Sequence, residues 1–138
     1  MPQEVKIRIN SSQLEGLDKN EIAFKTKGLL YNKKGIYYLK YKEDLEGLKG
    51  VETTLKIKED ELTLIRQGQV RMIQEFVIDK QNNFDYHTPY GTLSFQVEVE
   101  ELNIDVDFFQ GVIDLSYQLY NGEELISKNQ LNIIYKED

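Results

Sequence analysis

The chain has no cysteine, one histidine and only two prolines in 138 residues. The missing cysteine excludes a disulfide framework, thiolate nucleophiles and zinc sites built on thiolates. No apolar run approaches the ~18 residues of a membrane span, and the start, Met1-Pro2-Gln3-Glu4-Val5-Lys6, lacks the apolar core of a signal peptide. A bacterial-type cytoplasmic protein, with no membrane partner, is the expectation. No Gly-rich phosphate loop follows a strand, no dinucleotide fingerprint occurs, and there is no Gly-x-Ser-x-Gly elbow for a serine nucleophile. Helical periodicity is nowhere sustained for a dozen residues.

Net positive charge is missing as well. The formal charge is −7, which argues against a dedicated nucleic-acid binder, because phosphate contacts dominate such affinity. The charge is unevenly divided. Residues 1–58 carry 12 Lys and Arg against 8 Asp and Glu, whereas residues 59–138 carry 5 against 16. Paired strands complementing each other's solvent faces would account for this. A surface that recruits a partner or a second copy, giving a homodimer, would account for it too.

What is present is period two, the mark of half-buried strands. Val5, Ile7 and Ile9 alternate with Lys6, Arg8 and Asn10; Val51, Thr53, Leu55 and Ile57 alternate with Glu52, Thr54, Lys56 and Lys58. Similar runs cover Tyr37 to Tyr41, Val70 to Ile78, Leu93 to Val99, Ile113 to Leu119 and Leu131 to Tyr135. Hairpin signals separate them, Asn121-Gly122 being the strongest. The apolar parity flips from odd at Val99 to even at Leu102, which a bulge at Glu100-Glu101 would produce. Residues 12–22 read as one helical turn or a loop. About eight to ten strands in meander order close most economically into a single antiparallel up-and-down β-barrel, which removes exposed edges. The expectation is therefore an all-β, one-domain chain over residues 1–138.

Inward parity also selects polar groups that need partners. Arg66 shares the Leu62/Leu64 face and Gln74 the Met72/Phe76 face, while Tyr41, Tyr86, Thr88, Tyr117 and Asn129 fall on apolar parities. Glu43 is one candidate partner for Arg66. Such a set can be the polar floor of a ligand cavity or a hydrogen-bond network that plugs the barrel end. Tyr41, Arg66, Gln74, Tyr86, Thr88 and Tyr117 are the candidate ligand-binding residues, and the ligand they suit is small and amphiphilic. No catalytic residue, metal or cofactor is assigned. His87 takes the parity opposite Tyr86 and Thr88 and is expected to face outward. Asn103-x-Asp105-x-Asp107 opens like a calcium loop, but Phe108 stands where its glycine should be. In Tyr37-Tyr38-Leu39-Lys40-Tyr41 only Tyr38 reads as clearly exposed, a thin basis for base stacking.

The segments Tyr37-Tyr38-Leu39-Lys40-Tyr41-Lys42-Glu43, Thr53-Thr54-Leu55-Lys56-Ile57, Arg66-Gln67-Gly68, Tyr86-His87-Thr88-Pro89-Tyr90-Gly91, Tyr117-Gln118-Leu119 and Asn129-Gln130-Leu131-Asn132-Ile133 follow in this order. Together they resemble an uncharacterised bacterial barrel family, the YwiB-like proteins, grouped as a domain of unknown function. The resemblance implies a lipocalin-like (calycin-type) closed barrel and carries over no activity, cofactor or site residue. The functional expectation is a non-enzymatic barrel holding a small, partly apolar ligand inside, the alternative being an interaction module that uses its charge-divided surface.

Overall fold

A computed structural model describes residues 2–43 and 50–138, with every side chain there except that of Glu43. Ten antiparallel strands form one sheet: β1 (Gln3–Glu15), β2 (Asp18–Lys33), β3 (Ile36–Glu43), β4 (Val51–Ile57), β5 (Glu61–Gln67), β6 (Met72–Val77), β7 (Gln81–Thr88), β8 (Gly91–Val106), β9 (Gln110–Asn121) and β10 (Glu124–Glu137). The spatial order is β6-β5-β4-β3-β2-β1-β10-β9-β8-β7, so the meander is closed by pairing β1 with β10. The two remaining edges, β6 and β7, meet without a ladder. Arg71 and His87 exchange both backbone hydrogen bonds at 3.0 Å, Ile78 bridges Val99, and the Asn82 amide donates to the Glu75 carbonyl at 3.3 Å. The result is a nearly closed barrel with one sparsely bonded seam.

Alternation explains the elements. β4 buries Val51, Thr53, Leu55 and Ile57 and exposes or half-exposes the residues between them. The same rule fills the barrel with Ile7, Leu30, Leu39, Leu62, Phe76, Ile113 and Ile133, all nearly inaccessible. The β2–β3 hairpin turns on Lys34 and Gly35, both at positive φ, as a two-residue primed turn requires. The parity flip on β8 is a register shift between Val99 and Glu101, the bulge that the sequence indicates.

Residues 12–22 are not a helical turn or a loop. They are the tip of the β1–β2 hairpin, paired from Gln13↔Asn20 to Glu15↔Asp18 around Gly16. This tip projects past the core, so both of its faces are largely exposed and no apolar alternation marks it.

One end of the barrel carries the chain starts and the turns after β2, β4, β6 and β8; it is shut by Tyr135, 1 % exposed, whose hydroxyl donates to the Asp107 carbonyl at 2.5 Å. The Asp107 carboxylate accepts from the backbone N–H of Gln110 at 2.9 Å and of Phe109 at 2.8 Å, which orders the β8–β9 turn. These two hydrogen bonds hold the carboxyl below the ordinary carboxylate range. A depressed folded-state pKa stabilises above the unfolded value and is lost as pH falls through the folded one. Asp107→Asn should therefore flatten the loss of stability between neutrality and strong acid, read from urea melts across pH. An acid limb identical to that of the parent would contradict this account.

Candidate functional site: the polar inward row near the seam

At the opposite end the inward face turns polar. Tyr41, Thr53, Arg66 and Met72 are successive register partners on β3, β4, β5 and β6, so period two and the ladder place all four side chains in one inward row. Gln74 follows Met72 on the same face of β6, with 4 % of its surface exposed. Across the barrel, the Tyr117 ring on β9 packs against Phe76 with centroids 4.9 Å apart. Burial pushes the Tyr117 hydroxyl above its ordinary pKa, and the Arg66 charge opposes that shift, so Arg66 and Tyr117 share one electrostatic environment. Tyr41 and Arg66 both have partners within the protein. The Glu43 side chain, one candidate partner of Arg66 in the sequence, lies outside the described residues.

Thr53 is the chemically unusual member. It is fully buried, and its Oγ1 makes no hydrogen bond. An unsatisfied buried hydroxyl costs about 1–3 kcal/mol, and buried polar groups in folded proteins are nearly always paired. Sequence reasoning placed Thr53 among the apolar residues Val51, Leu55 and Ile57. A threonine on a wholly apolar parity, next to an inward arginine, was the signal available.

The other two candidates are placed differently. Tyr86 is half-buried against the core, opposite Leu93. Thr88 does not join the row: its hydroxyl donates to the Gly91 carbonyl at 2.9 Å and accepts from the Tyr90 N–H at 3.1 Å, shaping the β7–β8 turn. Asn129 donates to the Ser127 hydroxyl at 2.9 Å and lines, with Tyr117, an open cleft of about 400 Å³.

The seam is also marked on the outer surface. A cleft of about 360 Å³ lies over it, lined by Arg66 and Met72 of the inward row together with Arg71, Ile73, Asp85 and His87 of the outer one. His87 stands on this rim. Its Nδ1 is 3.0 Å from the Thr92 hydroxyl, and the Asp85 carboxylate accepts from Ser94 at 2.7 Å. These contacts are pairs between neighbouring strands, and nothing in them orients a base toward an activated nucleophile. No group of three or more metal-ligating side chains occurs among the described residues.

Comparison with known proteins agrees with the geometry. The uncharacterized β-barrel protein YwiB of Bacillus subtilis (strain 168) is 30% identical over 138 residues, covering 99% of this chain and 96% of that protein. The crystal structure of ywiB protein from Bacillus subtilis superposes with a TM-score of 0.90 at 26% identity, covering 99% of this chain and 93% of that one. Residues 7–133 match the family described as Domain of unknown function (DUF1934), and the chain belongs to that family.

Proposed function

We propose that this barrel is a non-enzymatic, cytoplasmic binder of a small, partly apolar molecule, which enters by the seam cleft and lodges in the inward row. The apolar part would rest on Met72, Phe76 and the Tyr117 ring. Its polar group would hydrogen-bond to Thr53 Oγ1 and the Gln74 amide, with the Arg66 charge favouring an anionic or strongly accepting head. The observation that carries this reading is the unpartnered, fully buried Thr53 hydroxyl beside a buried glutamine and an inward arginine. The barrel architecture supports it only by analogy with lipocalins.

Thr53→Val keeps the shape and removes the hydroxyl. It should raise the stability of the ligand-free protein by about 1 kcal/mol, a few degrees in Tm, while abolishing the bound mass seen by native mass spectrometry of protein purified from its host. A parent protein that leaves its host with no adduct, and a valine variant no more stable than the parent, would overturn the proposal.

A second reading rests on a separate observation. The charge division of the sequence becomes spatial in the barrel: Lys6, Arg8, Lys25 and Lys27 lie on the outer face of β1–β2, and Glu98, Glu101, Asp105 and Asp114 on that of β8–β9. Such a surface suits a protein partner or a second copy, and association through it would weaken with salt.

A further inference from the structure

The outer face of β1–β3 and β10 combines two features that the sequence does not connect. Lys6 and Arg8 on β1, Lys25 and Lys27 on β2 and Lys136 on β10 surround an open cleft of about 440 Å³ floored by Ile134. Asp138 holds Lys6 and Lys27 at 3.5 Å each, while Arg8, Lys25 and Lys136 form no ion pair among the described residues. The other carboxylates on these rows are Glu4, opposite Leu29, and Glu21, opposite Ser12 and paired with Lys19 at 3.0 Å. Further along β2, Tyr31 faces outward directly opposite Tyr38 of β3. Both rings are half-buried at their edges, with Lys33 Nζ 5.9 Å from the Tyr31 centroid and 5.7 Å from that of Tyr38, and Lys40 Nζ 5.4 Å from Tyr31.

We propose that this face binds single-stranded nucleic acid, the lysines and Arg8 holding the phosphates and the Tyr31–Tyr38 pair stacking bases. Four adjacent strands span about 15 Å, and Lys25 to Lys33 extends about 26 Å along β2, room for a short run of nucleotides. Single-strand binders combine a basic track with aromatic platforms, and both occur here on one rigid sheet. An acidic protein segment would satisfy the lysines but would leave the paired rings without a purpose. The negative total charge does not forbid the interaction. The acidic strands begin at β9, which adjoins β10, so they start two strand spacings or about 10 Å from β1, and the Debye length at physiological salt is about 8 Å; the basic track is the part of the face on β1–β3. Net charge is an average over the whole surface, and the proposal rests on the local basic track of β1–β3.

The test is fluorescence anisotropy of a labelled twelve-nucleotide single-stranded RNA of mixed sequence, titrated with the full chain from 50 to 300 mM salt. Binding should weaken with a log–log slope near −3, and Arg8→Gln with Lys25→Gln should reduce that slope by about 1.4. Tyr31→Ala with Tyr38→Ala should weaken binding at least about ten-fold, and Tyr31→Phe with Tyr38→Phe should restore most of it, since stacking needs the ring and not the hydroxyl. Thermal melts of each variant separate loss of binding from loss of fold. The proposal falls if RNA does not bind at 50 mM salt, or if the alanine pair, still folded, binds RNA as the parent does. It also falls if heparin, duplex DNA, phosphatidylglycerol vesicles or a second copy of the chain binds this face more tightly than the single strand.

Discussion

Gly28→Ala is expected to remove at least about 3 kcal/mol of stability and to lower the melting midpoint by on the order of 10 °C. Gly28 is an inward position of β2, between Val5 on β1 and Tyr41 on β3. A Cβ there would collide with the Lys40 carbonyl oxygen, stand 2.7 Å from Ile7 Cδ1 and 3.3 Å from Tyr41 Cβ. The first of these is backbone in the β2–β3 pairing, so relief requires the strands to part. The second belongs to a residue packed in the core. A control separates this crowding from the ordinary effect of losing a glycine. Gly122, at φ +64 in the β9–β10 turn, has nothing within 4 Å of an added Cβ, so Gly122→Ala should cost only the left-handed backbone penalty of about 1–2 kcal/mol. If chemical denaturation gives the two variants equal losses, the crowding argument at Gly28 is wrong.

The second large effect is alkaline. Burial pushes the Tyr135 hydroxyl far above the ordinary tyrosine range, with the neighbouring Tyr37 and Asp107 adding to the shift, and burial raises Tyr117 as well. In both cases the neutral phenol is the folded form, while the unfolded chain ionises near pH 10. The stabilisation is complete below that value and is lost as pH rises above it. Tyr135 contributes at most about 1.4 kcal/mol per pH unit, so by pH 12 it removes up to about 3 kcal/mol, and Tyr117 acts in the same direction. Urea melts from pH 8 to 12 should show this decline together with phenolate absorbance appearing on unfolding. Tyr135→Phe should lose about 1 kcal/mol near neutrality with its hydrogen bond to Asp107, yet decline less steeply above pH 10. A parallel decline in the variant would refute the assignment.

Strands whose one face meets the core and whose other meets water were legible, because burial enforces alternation. β4 is the clearest case, and the bulge on β8 was readable as a break in that rhythm. β2 was hard to read. Its first half projects beyond the core, and in its second half Leu29 and Leu30 are adjacent apolar residues, so Tyr31 could not be assigned to the outer face. The inward row was partly legible: Arg66, Gln74, Tyr41 and Tyr117 were found by parity, whereas Thr53 escaped because threonine is at home on a strand face of either kind. The seam had no signal at all. Which two edges meet depends on barrel geometry, and the backbone bonds between Arg71 and His87 show that the histidine segment lies at the seam.

The position of β10 has a consequence for synthesis. It lies between β1 and β9, the sole link between the six-strand sheet β1–β6 and the three-strand sheet β7–β9 apart from the seam. A ribosome releases it after every strand that it joins. Until then the nascent chain holds two open sheets, each with an unpaired edge. The closing contact spans nearly the whole sequence, from Val5↔Glu137 to Leu14↔Lys128. Such long-range pairing folds slowly and leaves edges exposed to other chains in the meantime. Closure of this barrel therefore waits for β10, the last of its ten strands to be made, and the interval before it is when the protein depends most on chaperones.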